Sequence, residues 1–159
     1  DDVLHEALLN SYRILPPRIY DFKKMMYTPG YAGEDFLNMD PYFISDKKKK
    51  EGICLSVKGL SNGAVAVLYP GVIKKLVEFM DGGFYVVFSS VHEALIYSSK
   101  LCSLEELENL LRTSNARMTF QKEFLTDKVY YYCKEEDKFI MLRGSMKMLV
   151  TTIRMDEEN

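Results

Sequence analysis

Along residues 3–12 the apolar positions Val3, Leu4, Ala7, Leu8 and Tyr12 recur with the rhythm of one helical face, while His5, Glu6 and Asn10 fall elsewhere on the wheel. Pro16-Pro17 stops that helix, because proline disfavours helical geometry in the residue before it. A second short helix is predicted to follow, with Ile19, Phe22, Met25 and Met26 inward. Residues 27–51 show no period. They hold Pro29, Gly30, Gly33, Pro41 and four consecutive lysines at 47–50, and they predict a long, mobile loop with the lysines at a solvated tip.

From Gly52 the pattern tightens. Residues 53–58 and 64–69 read as two strands joined by a turn containing Asn62-Gly63, a dipeptide that tolerates the positive φ of tight turns. The second of these, AVAVLY, is apolar on both faces and predicts a strand in the centre of the sheet. Pro70-Gly71 opens a helix over 71–81, with Val72, Ile73, Leu76, Val77 and Met80 on one side and Lys74, Lys75 and Glu78 on the other. Asp81-Gly82-Gly83 ends it. Strands follow at 84–88 and 94–98. A third helix is predicted at 103–113, capped by Ser103 and Glu106 and buried along Leu104, Leu107, Leu110 and Leu111. Residues 115–124 read as irregular. A last hairpin joins 129–133 to 139–142, a strand is possible at 148–153, and residues 154–159 form a polar tail.

Short connections imply antiparallel neighbours, so the expected fold is α+β: a mostly antiparallel sheet built from helix-strand-strand units, with helices packed on it. The predicted core contains Leu55, Val65, Val67, Leu76, Met80, Val86, Leu95, Leu107 and Leu111.

Composition narrows the class. The chain has 159 residues, 47% of them hydrophobic and 28% charged, which suits a single α+β domain over 1–159 with a self-sufficient core. Its formal net charge of −2 provides no global field for nucleic acid or an anionic membrane. No apolar run approaches the ~20 residues of a spanning helix. The opening DDVLHEALLN lacks the basic and apolar regions of a signal peptide. A first residue of Asp, not Met, suggests a fragment of a longer protein. Cys54, Cys102 and Cys133 form no Cys-x-x-Cys pair, and two histidines with no ligand spacing predict no metal and no cofactor. A reducing, cytoplasmic setting follows.

One cluster invites a chemical reading. Ser90, His92 and Glu93 supply a nucleophile, a base and a carboxylate. Residues so close in sequence at a tight turn do not easily align in series, and no nucleophile elbow surrounds the serine. The competing reading is a capping box, with Ser90 and Glu93 satisfying free amides and His92 structural. Asn62-Gly63 is explained by a hairpin turn, and Tyr69-Pro70-Gly71 by a helix start. Tyrosines 130, 131 and 132 are consecutive and alternate faces, with no basic residue between them, which favours packing over base stacking.

Four pieces of the chain carry a family resemblance. They are Ala7-x-x-Asn10 with Ile14-Leu15-Pro16; Gly63-Ala64 with Leu68-Tyr69-Pro70-Gly71-Val72; Phe84-Tyr85 with Ser89-Ser90-Val91-His92-Glu93; and Asn115 with Leu125-Thr126-Asp127-x-Val129-Tyr130. The chain resembles an uncharacterised family of unknown function found mainly in anaerobic Gram-positive gut bacteria. Members usually carry proline where this chain has Phe88, and their counterpart of 27–51 is shorter. The resemblance implies a bacterial, cytoplasmic protein and assigns no catalytic residue. The element order is similar to small secretion-chaperone-like folds. The expected function is therefore a non-enzymatic module that binds a protein partner, and neither nucleic acid nor a membrane; the alternative is a hydrolase-type enzyme using Ser90, His92 and Glu93.

Overall fold

The structure is a computed structural model that describes residues 2–115, 125–143 and 146–149. The chain runs α1 (Asp2–Ile14), β1 (Pro17–Tyr20), α2 (Phe22–Tyr27), β2 (Glu34–Asp35), a 3₁₀ turn (Pro41–Phe43), α3 (Asp46–Glu51) and β3 (Ile53–Val57). It continues as a 3₁₀ helix (Gly63–Leu68), α4 (Val72–Met80), β4 (Phe84–Val87), β5 (Ala94–Ser98), α5 (Leu104–Asn115), β6 (Val129–Cys133), β7 (Lys138–Arg143) and β8 (Met146–Leu149). The strands form one sheet in the order β2-β1-β3-β5-β4-β6-β7-β8, and every neighbouring pair is antiparallel. The fold is α+β, as the short connections predict.

Alternation along the central strands sends successive side chains to opposite faces. Val86 and Ile96 join Leu55, Leu76 and Phe79 in a large cluster beneath α4. Val87 and Tyr97 join Leu107 and Leu111 of α5, with Val129, in a smaller cluster on the other face. The middle of the sheet is thus sandwiched between helices, which is why β3 is buried at every position. α5 starts as expected: the Ser103 amide donates to Glu106 Oε2 at 2.8 Å and the Glu106 amide to Ser103 Oγ at 3.2 Å. Leu107 and Leu111 are buried, whereas Leu110 is exposed.

Residues 64–69 do not form a strand. β3 is already flanked by β1 along Pro17–Val57 to Tyr20–Cys54 and by β5 along Ile53–Ile96 to Leu55–Ala94, so no free edge remains to pair with them. The segment instead winds into the 3₁₀ helix and lies on the α4 face, burying Ala64, Ala66 and Val67. Val65 therefore points outward at 38% exposure and is not part of the core. The predicted pairing of 53–58 with 64–69 fails for the same reason. Leu95 is half-buried against the α5 cluster, not enclosed.

The N-terminal third departs further from the pattern. Of the apolar face of α1, Leu8 is buried and Tyr12 meets the Tyr69 ring edge-on at 6.2 Å, while Val3 and Leu4 are exposed. Ile19 belongs to β1 and not to the second helix, and Phe22 and Met26 of α2 are exposed. Asp21 caps α2 by accepting the amides of Lys23 and Lys24.

The stretch 27–51 is structured. Phe36 is fully buried against Phe79, with ring centroids 5.3 Å apart, and Met39 and Ile44 are buried as well. The four lysines lie in α3, where Lys47 faces Glu51, Lys49 faces Asp46, and Lys48 hydrogen-bonds Asp21. That contact, foremost, pulls the Asp21 carboxyl below the ordinary carboxylate range. The run is thus a helix tied to acids and not a loop tip. The 129–133 hairpin forms as predicted and continues into β8; residues 150–153 of the predicted last strand, the irregular 116–124 and the tail lie outside the described residues.

Candidate functional site

Gly63 sets the geometry of the site. A Cβ at this position would lie 2.0 Å from Ser56 Oγ, 2.7 Å from Val57 N and 2.8 Å from His92 O. Only a residue without a side chain lets the 3₁₀ helix approach β3 this closely. Asn62, just before it, takes the left-handed conformation at φ 55°, which the Asn-Gly pair favours.

Residues 88–93 meet this turn and are bound to it. The Asn62 amide donates to His92 Nδ1 at 3.1 Å, and the Ala64 amide donates to the Val91 carbonyl at 3.1 Å. The hydroxyl of Ser56, which is fully buried, donates to the His92 carbonyl at 2.5 Å. Within the segment, the His92 amide donates to Ser90 Oγ at 3.0 Å and Ser89 Oγ donates to Glu93 Oε1 at 2.7 Å.

The three residues of the chemical reading are adjacent but not in series. Ser90 Oγ is turned to the backbone amide of His92, Glu93 holds Ser89, and His92 Nδ1 holds Asn62. Ser90 and Glu93 do not make a capping box, because residues 90–92 bend without completing a helical turn. The serine makes a local side-chain turn instead, accepting from the amide two residues on.

Beside this junction lies an open cleft of about 470 Å³ on the α4 side of the sheet. Val65, Val67 and Leu68 of the 3₁₀ helix form its floor and one lip, and Val91 and Leu125 contribute from the facing segments. Phe88 and Tyr130 stand as a wall, their rings 5.5 Å apart and inclined at 70°. Asn62 and Thr126 are the short polar residues of the lining. Three of the four pieces that carry the family resemblance therefore meet here: 63–72, 89–93 and 125–130. The cleft residues have no common motif in the sequence. The only signal of them is that apolar residues recur beside the turns at 62–63, 89–93 and 125–128.

The two buried cysteines, Cys54 and Cys102, are held as neutral thiols. Burial pushes Cys54 up to about 12. Burial also raises Cys102, whose Sγ lies 3.2 Å from the Lys50 carbonyl. Tyr97, buried between these regions, is pushed up to about 12, foremost by burial. Among the described residues no cluster of three or more His, Cys, Asp or Glu could hold a metal ion, and no helix is long and apolar enough to cross a membrane.

No curated protein and no solved structure matches the chain. A family model does match, over residues 1–134, and covers β3, the 3₁₀ helix, the 89–93 segment and β6. The chain belongs to DUF5688, a family of unknown function.

Proposed function

We propose that the protein is a binding module whose cleft seats large apolar side chains of a partner polypeptide. The observation that carries this reading is the lining: aliphatic and aromatic groups around an open-sided space of about 470 Å³, with polar groups at only a few positions. A small polar substrate needs several convergent donors and acceptors to fix its orientation, and an enclosed site to bury it. An open apolar cleft instead suits an anchor side chain whose own backbone stays outside, at the rim. Asn62 and Thr126 are suited to meet that backbone. α1, with Val3, Leu4 and Ile14 exposed, leans on Tyr69 at the end of the 3₁₀ helix and adds apolar surface on the same side of the sheet. Three free cysteines fit a reducing, cytoplasmic bacterial setting.

The hydrolase reading has less support. Ser90, His92 and Glu93 each spend a hydrogen bond on the turn, and a general base needs its nucleophile within hydrogen-bond reach. The test is affinity capture from the source organism, identification of the bound protein, and reconstitution with both purified components. Val65→Asp and Leu125→Asp place a charge at exposed lining positions. Each should abolish the reconstituted complex while leaving the melting temperature within about a degree of wild type. Undiminished binding by both variants would refute this cleft as the site.

A further inference from the structure

We infer that His92 is a proton-operated latch on the cleft. The latch rests on the geometry of one bond. Nδ1 of His92 accepts the Asn62 amide at 3.1 Å, and only an unprotonated ring nitrogen can accept. Protonation turns Nδ1 into a donor and sets two N–H groups against each other. Histidine is the side-chain type that ordinarily changes charge between pH 5 and 8.

The consequence reaches the cleft because both ends of the bond belong to it. Asn62 lines the cleft and precedes the 3₁₀ helix that forms the floor. Val91, next to His92, lines the facing side, and its carbonyl holds the Ala64 amide. Loss of the Asn62 bond leaves Asn62 in a left-handed conformation with one restraint fewer. The floor is still held by Gly63 against β3, so the change is confined to residues 60–62 and 90–92. The charged residues on the segments that meet here are Lys58 at the exit of β3, Glu93, which holds Ser89, and Asp127 with its ion-pair partner Lys128. Ser56 holds the His92 carbonyl from beneath and keeps the backbone in place when the ring changes state.

This inference deepens the binding reading by assigning it a regulator, yet its test needs no partner. The ¹⁵N-labelled full chain is titrated from pH 8 to pH 5, following the His92 ring carbons and the amides of Asn62, Ala64 and Val91. His92→Asn serves as control, since its side-chain oxygen takes the place of Nδ1 as an acceptor and does not titrate. In wild type the Asn62 amide should shift along the same curve as the His92 ring, and its exchange protection should fall about tenfold across that curve. In the control the Asn62 amide should stay flat over the range. An Asn62 amide that ignores the ring's titration, a ring that never titrates in this range, or a shift that persists in His92→Asn would each overturn the latch. Failure of the partner experiments leaves this outcome untouched, so the two claims fail separately.

Discussion

Gly63 is the residue on which the site depends most directly. Gly63→Ala forces a methyl to 2.0 Å from Ser56 Oγ and 2.8 Å from the His92 carbonyl. The 3₁₀ helix must then lift from β3 and weaken the Ser56 and Asn62 bonds together. A loss of about 1–3 kcal/mol is expected, the usual cost of overpacking, read from the urea midpoint. An unchanged midpoint would show that the helix does not rest on β3. Burial makes a second prediction at this scale. Cys54 moves from 9.0 to about 12 and Tyr97 from 10.0 to about 12. Both folded values lie above the unfolded ones, so their stabilisation is complete below about pH 9 and is lost as pH rises toward about 12. Tyr97→Phe removes one of the two groups. Its urea midpoint should fall less steeply than wild type between pH 10 and 12, and an identical slope would argue against a buried phenol.

Among the elements, α4 and the 3₁₀ helix differ in how far their apolar residues are buried. Leu76, on the inner face of α4, is fully buried, so Leu76→Ala should cost about 2–5 kcal/mol. Val65, 38% exposed, should cost less than about 0.5 kcal/mol on the same change. Equal losses would mean that residues 64–69 pack as a central strand after all. α4 was legible because Val72, Leu76 and Met80 repeat with the helical period. AVAVLY was not, since a short apolar run fits a strand or a buried helical turn equally well. What decided between them was the lack of a free edge on β3, which is not a local property. The stretch 27–51 reads as a loop in the sequence for a related reason. Its anchors Phe36, Met39 and Ile44 are spaced without period, so they reveal themselves only by what they touch. Hydrogen exchange should show protected amides at Lys49 and Gly52, which donate to Ser45 and Lys48 carbonyls. Exchange there at the rate of an unfolded peptide would return the segment to a loop.

For the molecule as a whole, class and pairing were legible where the chain turns back on itself. β4 with β5 and β6 with β7 are both hairpins with short connections, and both form in the expected antiparallel sense. The cleft was not legible, because Val65, Val91 and Leu125 are drawn from three distant segments and each has an ordinary packing role in isolation. The candidate cluster at 90–93 was visible in the sequence, but its wiring to Asn62 and Ser56 was not, since those partners lie 30 or more residues away.

The strand order also bears on how the chain can be made. β4 is synthesised before β5, yet β5 lies between β3 and β4. A growing chain that has released β4 therefore carries a gap one strand wide, with the β5-facing edge of β3 unpaired and its apolar residues unprotected. Nothing earlier in the chain fills that gap; β1 occupies the other side of β3. The emerging polypeptide must wait for residues 94–98, and during that wait it is most exposed to chaperones and proteases. Ribosome-arrested chains should resist brief proteolysis only once Ser98 has left the exit tunnel. Resistance already present when the chain has emerged only as far as Val87 would mean that the two halves of the sheet fold without the strand that joins them.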